Sequence, residues 1–428
     1  MKRYDNYKDS GQQWLGEIPS HWEIKKIKFL ASCNDETLPE NYDENEVIKY
    51  IEISDVSSNE GIKNYTEYYF KDAPSRARRI TQQNDIIVST VRTYLKAIAK
   101  IEQSGFVVST GFAVLRPQKI NKSFLGYAVL TETFVNEVVS KSVGASYPSI
   151  NALELINIKI VLPLEFEQQA IASYLDKQCE NIDKAIAQQQ RMIDLLNERK
   201  QIIIQQAVTK GLNPNAKMKN SGVEWIGQVP EHWEVTVLKR CATVKTGCTP
   251  STKEFKYYET QDINWFTPED IGSDCICEAQ KKVSYIAKQE GACKVFPSHI
   301  VYFVGIGASI GKVSYCDIEA SANQQINAII PNHRVNYKFL SYCLKTQKEE
   351  IFLTANTVTL PIINQERTGS LLIPIPPLSE QQQIIDHIEK QIACIDKAIA
   401  KQQQTIDLLK ERKQIVINDA VTGKIKVI

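Results

Sequence analysis

The chain has no hydrophobic run long enough to cross a membrane. Its apolar stretches, such as LLIPIPPL from Leu371 to Leu378, fall far short of the roughly 20 residues a membrane helix needs. The N-terminal stretch MKRYDNYKDS also lacks the apolar region of a secretion signal, and together these absences predict a cytoplasmic protein. Histidine is scarce, with five residues, none at zinc-ligand spacing. The ten cysteines include no CxxC pair, only Cys275 and Cys277 one residue apart. No metal is therefore expected, and without a secretion signal the cysteines read as reduced thiols. An excess of one charge is lacking too. Lysine and arginine number 51 against 50 acidic residues, a net charge of +1, so no global basic field exists and any nucleic-acid binding must come from local patches.

Signatures of catalysis are equally thin. The glycine-rich GIGASIGK, Gly305 to Lys312, invites a phosphate-binding reading because backbone amides in such loops cradle anions. Its spacing fails. A P-loop needs four residues between its glycines and Ser or Thr after the lysine, whereas here three residues part Gly307 from Gly311 and Val313 follows Lys312. The dinucleotide fingerprint fails as well, since Gly305, Gly307 and Gly311 are spread one residue too far. No GxSxG elbow, HExxH pair or acidic metal cluster is present, nor an aromatic-flanked Asn/Asp-Pro-Pro segment of the kind adenine methyltransferases use. The chain is expected to be non-catalytic by itself and to carry no cofactor.

What the sequence does have is a large internal repeat. KDSGQQWLGEIPSHWE (Lys8 to Glu23) returns as KNSGVEWIGQVPEHWE (Lys219 to Glu234), an offset of 211 residues. IDKAIAQQQRMIDLLNERKQIIIQQAVT (Ile182 to Thr209) returns as IDKAIAKQQQTIDLLKERKQIVINDAVT (Ile395 to Thr422), matching at 21 of 28 positions with an offset of 213. Both offsets are close to half of 428 residues, so the chain is a tandem duplication of a lead-in segment, a variable region and a helical block. With 43% hydrophobic and 24% charged residues, each half can bury a core.

The helical block has a readable period. Ile182, Ile186, Ile193, Leu196 and Ile203 form one apolar seam at alternating heptad core positions, copied as Ile395, Ile399, Ile406, Leu409 and Val416. Gln189 and Lys200, with Gln402 and Lys413, sit on the same seam, either as register devices or as side chains whose stems snorkel at its edge. Run from the EQQ at Glu167 and Glu380 to the AVT at Thr209 and Thr422, each helix is roughly 65 Å long at about 1.5 Å per residue. A helix so long with one apolar stripe needs a partner, and the other copy is the obvious one. Pro163 and the PIPP at Pro374 to Pro377 close the preceding strands, while Gly211 with Pro214, and Gly423, end the helices. The predicted plan is therefore mixed α+β. Residues 1–163 form a lead-in segment and first domain, 164–212 a long helix, 213–376 a second lead-in and domain, and 377–428 a second long helix.

The variable regions, about Ile24 to Pro163 and Val235 to Pro376, resemble each other far less. Both alternate β-branched runs with polar turns, and DIIVSTV at Asp85 and HIVYFVG at His299 both read as buried strands. Between Lys71 and Lys100 the first region holds Arg76, Arg78, Arg79, Arg92 and Lys96 against only Asp72 and Asp85, with Tyr94 interleaved. That suits phosphate positioning plus base reading, because Arg binds guanine edges and phosphates equally well, although a solvated charged face has the same composition. Candidates in the second region are Lys281, Lys282, Ser309, Lys312 and the amides of Asn323, Gln324 and Gln325, which pair well with adenine edges but in mid-domain often bond to backbone. Trp14, Trp22, Trp225 and Trp233 read as anchors of the lead-in segment, and His21 and His232 as structural.

A duplicated SG..W.G..P.HWE, an LP...EQ..I lead into a long helix, and IDLL.ERKQ followed by AVT resemble the specificity subunit of Type I restriction-modification systems. The resemblance spans nearly the whole chain and is weakest inside the variable regions. It implies two target recognition domains, each reading one half of an asymmetric bipartite double-stranded DNA site, separated by two long antiparallel coiled-coil helices about a pseudo-twofold axis. It also implies partners: two modification subunits that bind S-adenosylmethionine and methylate adenine N6, and restriction subunits that use ATP and Mg to translocate and cut. The alternatives are a helical scaffold that dimerises without sequence-specific DNA binding, and an enzyme with an unrecognised site.

The duplicated seam generates a prediction about spacing. Removing one heptad from both helices together keeps the apolar residues in register while shortening each rod by roughly 10 Å, about three base pairs of duplex. Methylation mapping should then find the preferred spacer between half-sites changed or methylation lost. Methylation at the original spacer with unchanged half-sites would show that the helices do not set the gap.

Overall fold

The computed structural model describes residues 2–58, 60–144, 147–347, 351 and 362–427. The chain forms two compact units, Met1–Arg191 with Gln402–Ile428, and Met192–Lys401. Neither ends where a long helix begins. The first long helix runs Glu165–Lys210 and the second Leu378–Val421, so each unit takes a stretch of both. Both helices are free of Pro and Gly and rich in Gln, Lys, Glu, Ala and Ile, which favours helix over its length. Pro376 and Pro377 stand just before the second, and both stop at glycines in the left-handed region, Gly211 at φ 70° and Gly423 at φ 76°. Among the described residues no helix is long and apolar enough to cross a membrane.

Within each unit the two helical stretches run in opposite directions. In the first, Gly423 lies against Pro19 and Trp22, whose indole bonds Glu167, while further along Lys413 Nζ pairs with Asp183 at 2.8 Å. In the second, Gly211 lies against Trp233 and Glu380, and Lys200 pairs with Asp396 at 3.1 Å. The seam faces inward: Ile182, Ile193, Ile395, Ile406 and Val416 are buried, and Ile186, Leu196, Ile203, Ile399 and Leu409 half-buried. The seam lysines bond across to the facing helix. Each such exposed pair contributes at most about 1 kcal/mol, but the two repeat one another and so favour a single register.

The two units share one plan. In the first, an antiparallel sheet has the strand order Ile98–Lys100, Ile86–Ser89, Phe112–Pro117, Ala31–Cys33; a second has the order Thr66–Tyr69, Val47–Ile51, Phe106–Ser109, Ala77–Ile80, with its middle pair parallel. In the second unit the corresponding orders are Val313–Cys316, Ile300–Val304, Ile326–Pro331, Ala242–Thr246, and Lys282–Val283, Ile263–Phe266, Ala320–Ala322, Val295–Phe296, again with a parallel middle pair. The duplication thus extends through regions whose sequences have diverged. DIIVSTV and HIVYFVG occupy the same place, the inner strands Ile86–Ser89 and Ile300–Val304, fully buried in both.

Each domain is tied to its helices by the repeated segments. The strand Glu23–Lys26 pairs antiparallel with Lys159–Leu162, and Glu234–Val237 with Leu372–Ile375, so the lead-in segment is joined to the strand that precedes each helix. The EQ of each helix start then reaches inward. Gln168 accepts from the Asn121 N–H at 2.8 Å and donates to the Pro163 carbonyl; Gln381 accepts from the Asn336 N–H at 2.7 Å and donates to the Arg334 and Pro376 carbonyls. Asn121 and Asn336 are themselves helix N-caps, so one buried amide fixes the start of two helices. Trp22 and Trp233 are completely buried, and His21 and His232 each bond the same glutamate position, at 3.0 Å to Glu167 and 2.8 Å to Glu380.

One detail breaks the symmetry. The Trp22 indole N–H donates to Glu167 Oε2 at 3.1 Å, whereas the Trp233 N–H is buried without a partner among the described residues. Glu167→Ala should therefore strand a buried donor and cost the first unit about 1–3 kcal/mol, while Glu380→Ala costs the second less. Hydrogen exchange on peptides containing Trp22 and Trp233 measures both, and equal losses would contradict the assignment.

Candidate DNA interface

Three turns meet at one end of the paired sheets of the first unit. The turn Thr110–Gly111 links the two sheets; its Thr110 N–H donates to the Arg76 carbonyl at 2.8 Å, and the Gly111 carbonyl accepts from the Thr90 N–H at 2.8 Å. Thr90 opens the loop between strands Ile86–Ser89 and Ile98–Lys100, which carries Arg92, Tyr94 and Lys96. The structure thus brings Arg76 and the Arg92 loop to the same end, while Arg78 and Arg79 lie further along the edge strand Ala77–Ile80.

The Arg92 loop is built under strain. Arg92 and Lys96 both take the left-handed conformation, at φ 51° and 52°, around one 3-10 turn, Thr93–Leu95. For residues other than glycine such backbone costs about 1–3 kcal/mol each and persists only where the surroundings enforce it. Here they do. The Arg92 N–H donates to the Pro148 carbonyl at 2.8 Å, and Thr93 is buried with its hydroxyl 2.8 Å from that of Ser142. Arg92 lays its guanidinium over the Tyr147 ring, 4.8 Å from the centroid, and has no carboxylate partner among the described residues.

Charge pairing sorts the cations. Arg116 binds Asp85 with two nitrogens, at 3.0 and 2.9 Å, and reaches Glu36 with a third; the bond to Asp85, then that to Glu36, hold it above its ordinary pKa. Asp85 is therefore neutralised within the fold and does not offset the arginine cluster. Arg76 makes a loose pair with Glu52 at 3.6 Å, Arg78 stacks on Phe70 at 5.0 Å, and Arg79 is half-buried with its Nε unpartnered, its pKa pushed down by burial. Among the described residues Arg78, Arg79, Arg92 and Lys96 have no carboxylate partner.

The second unit puts different chemistry in the same places. Gly305–Lys312 fills the position of the Arg92 loop, and Asn323–Gln325 that of Thr110–Gly111; the Gly305 N–H donates to the Gln325 carbonyl at 2.8 Å, joining the two. The loop that carries Ser309 and exposed Lys312 thus opens beside the amide turn, with Gly305 the residue that meets it. Within that turn Asn323 is nearly buried, accepting from the Gln325 N–H and donating to the Gln325 side chain, so it shapes the turn, while Gln324 is exposed and bonded to Thr249. Lys281 and Lys282 stand apart, just before and on the edge strand Lys282–Val283 beyond Ile263–Phe266, roughly two strand spacings or 10 Å from the turn, and Lys282 pairs with Glu278.

Several residues at these ends escape a sequence reading. Tyr147 lies 55 positions from Arg92, with no local signal of their stacking. Gly247 can only be glycine, because a Cβ there would lie 2.3 Å from the Ala322 and Asn323 carbonyls; the Gly-x-Thr-Pro after a strand was the available clue. Leu95 was readable as the one aliphatic residue in the polar stretch RTYLK. Among the described residues, no group of three His, Cys, Asp or Glu is arranged to hold a metal.

Comparison with known proteins is decided by the repeat. A profile described as Type I restriction modification DNA specificity domain matches residues 19–191 and again 230–408. The chain belongs to this family. It is 24% identical over 441 residues to the Type I restriction enzyme MjaVIII specificity subunit of Methanocaldococcus jannaschii, covering 96% of this chain and 94% of that one. The StySPI specificity subunit of Salmonella potsdam is 19% identical over 434 residues, covering 96% and 90%. A chain from a solved type I R-M system, described for its complex assembly and conformational transition, superposes with a TM-score of 0.70 at 21% identity, over 95% of this chain and 99% of that one. The mixed α+β fold with two specificity domains and long helices is shared with it.

Because Arg92 belongs wholly to the first domain, Arg92→Ala should relax only one half of the methylated site, with a lost bidentate base contact costing roughly 1–3 kcal/mol. Methylome mapping reads this directly. Relaxation in both halves, or uniform weakening, would make Arg92 a phosphate or structural residue.

Proposed function

We propose that this specificity subunit reads an asymmetric bipartite DNA site, the first domain addressing one half through the Arg92 loop and the arginines of its edge strand, the second addressing the other half through Gly305–Lys312 and the Asn323–Gln325 turn. One observation carries the reading: two domains of the same topology present unlike side chains on corresponding loops. A shared scaffold with different loop chemistry is what two readers of different sequences require. Lys281 and Lys282 suit the phosphate backbone beside the second half-site.

The chain supplies the address, and the chemistry belongs to other subunits. Two modification subunits dock on the long helices, bringing S-adenosylmethionine and methylating adenine N6. Restriction subunits add ATP- and Mg-dependent translocation and cleavage, all in the cytoplasm. Support for two docking events comes from the helix surfaces. Leu195 and Ile202 are 42% and 45% exposed, and their repeat counterparts Leu408 and Ile415 are 57% and 50% exposed, one heptad apart in each case. Each unit therefore carries one such apolar pair outside its seam, as two like partners need.

Purified alone, the chain should transfer no labelled methyl from S-adenosylmethionine to DNA. Its affinity for duplex should fall with salt at a slope near −0.9 per phosphate contact, and methylation should appear only when modification subunits are added. A flat salt profile would favour the scaffold reading, and methyl transfer by the isolated chain would falsify the assignment of chemistry to its partners.

A further inference from the structure

The tip of the Arg92 loop carries two adjacent side chains whose apolar surface neither phosphate binding nor hydrogen-bonded base reading uses. Tyr94 is 52% and Leu95 48% exposed. Apolar side chains at a loop tip normally fold back onto the surface, and in a mobile loop these two would have the freedom to do so. This loop holds them out. Arg92 and Lys96 bracket the turn in left-handed conformations, the Leu95 N–H donates to the Arg92 carbonyl at 2.8 Å, and the Lys96 N–H to the Thr93 carbonyl at 3.1 Å. Thr93 points the opposite way, buried and hydrogen-bonded to Ser142, whose hydroxyl is held in turn near the Val138 carbonyl at 2.8 Å. A rigid turn thus presents an aromatic and an aliphatic residue side by side, flanked by two cations that have no carboxylate partner among the described residues.

We infer that Tyr94 and Leu95 form a wedge that enters the DNA at a base-pair step in or beside the half-site of the first domain and partly unstacks it, Lys96 gripping a phosphate on one side while Arg92 reads a base edge on the other. The inference rests on the reading of this unit as a DNA-binding domain. Inserted apolar side chains are a general means of kinking duplex, and a flat phenol ring matches the spacing of roughly 3.4 Å between stacked bases. Unstacking is easiest at pyrimidine–purine steps, so the wedge would also contribute specificity at a step it reads by deformability. The second unit lacks the device. In the corresponding loop Ala308 is the exposed tip residue, Ser309 is half-buried and Ile310 is 3% exposed, so no large apolar side chain projects there. The distortion belongs to one half-site only.

The test uses the full chain assembled with its modification subunits, on duplexes carrying the site delivered by methylation mapping. 2-Aminopurine is placed in turn at every position through and around both half-sites except the target adenines. The expected result is a several-fold fluorescence rise at one step of the first half-site, lost in the Tyr94→Ala/Leu95→Ala double variant and retained in Tyr94→Phe, which keeps the ring. The salt slope of the double variant should stay as in the parent, because the flanking cations remain. Specific binding by the parent with no fluorescent step, a rise that survives the double substitution, or a shallower salt slope in the double variant would each overturn the wedge while leaving DNA reading intact. A parent complex that shows no preference for the mapped site would overturn DNA reading, and the wedge with it.

Discussion

Everything in the fold depends on where the long helices end. Gly423 packs so closely on the first lead-in segment that a Cβ would fall 2.4 Å from Pro19 Cδ and 3.0 Å from Trp22; at Gly211 it would fall 3.0 Å from Trp233 and 3.1 Å from Glu380. Each lead-in tryptophan is thus covered by the end of the helix from the opposite half of the repeat. The first core draws Trp22, Ile171 and Leu175 together with Val416, Ala420 and Val421, and the second joins Ile204, Ala207 and Val208 to Trp233, Ile384 and Ile388. Losing the Trp22 side chain from such a site costs on the order of 3–5 kcal/mol. The apolar seam then has one register in each unit, because both ends of each helix are already placed.

With that frame fixed, electrostatics can be allotted to loops. The net charge of +1 conceals a division: Arg116, Arg334, Lys338 and Lys345 are matched with carboxylates on the body of the domains, while Arg78, Arg79, Arg92 and Lys96 have none among the described residues. A nearly neutral protein can therefore present a locally positive face without the general attraction that a basic surface would have for any polyanion.

The architecture was legible because the repeat and the heptad period are carried by residue identity at fixed spacing, and helices so long admit few other arrangements. The buried strands at Asp85 and His299 were readable from their β-branched runs, and so was the expectation that both domains share a plan. The correspondence between the Arg92 loop and the glycine-rich loop was not, because it is a relation of topology, and the two segments, equal in length at eight residues, differ in composition. Roles set by tertiary contact were hidden as well. Nothing local says that Gln168 and Gln381 anchor a second helix, that Asp85 is claimed by Arg116, or that Asn323 uses its amide within its own turn. The strain at Arg92 and Lys96 was equally invisible, since neither residue is one that ordinarily marks a left-handed turn.

The unit boundaries bear on the order in which the protein can fold as it emerges from the ribosome. The second unit, Met192–Lys401, is continuous in sequence, and the helix end that covers Trp233 is made before the domain it completes. The first unit is split, and its core stays open along one side until residues 402–428 have been synthesised. Vectorial synthesis usually lets the N-terminal domain finish first. Here the order of completion is reversed: the half begun first closes last, with Trp22 waiting for Gly423 while the other reader is already whole.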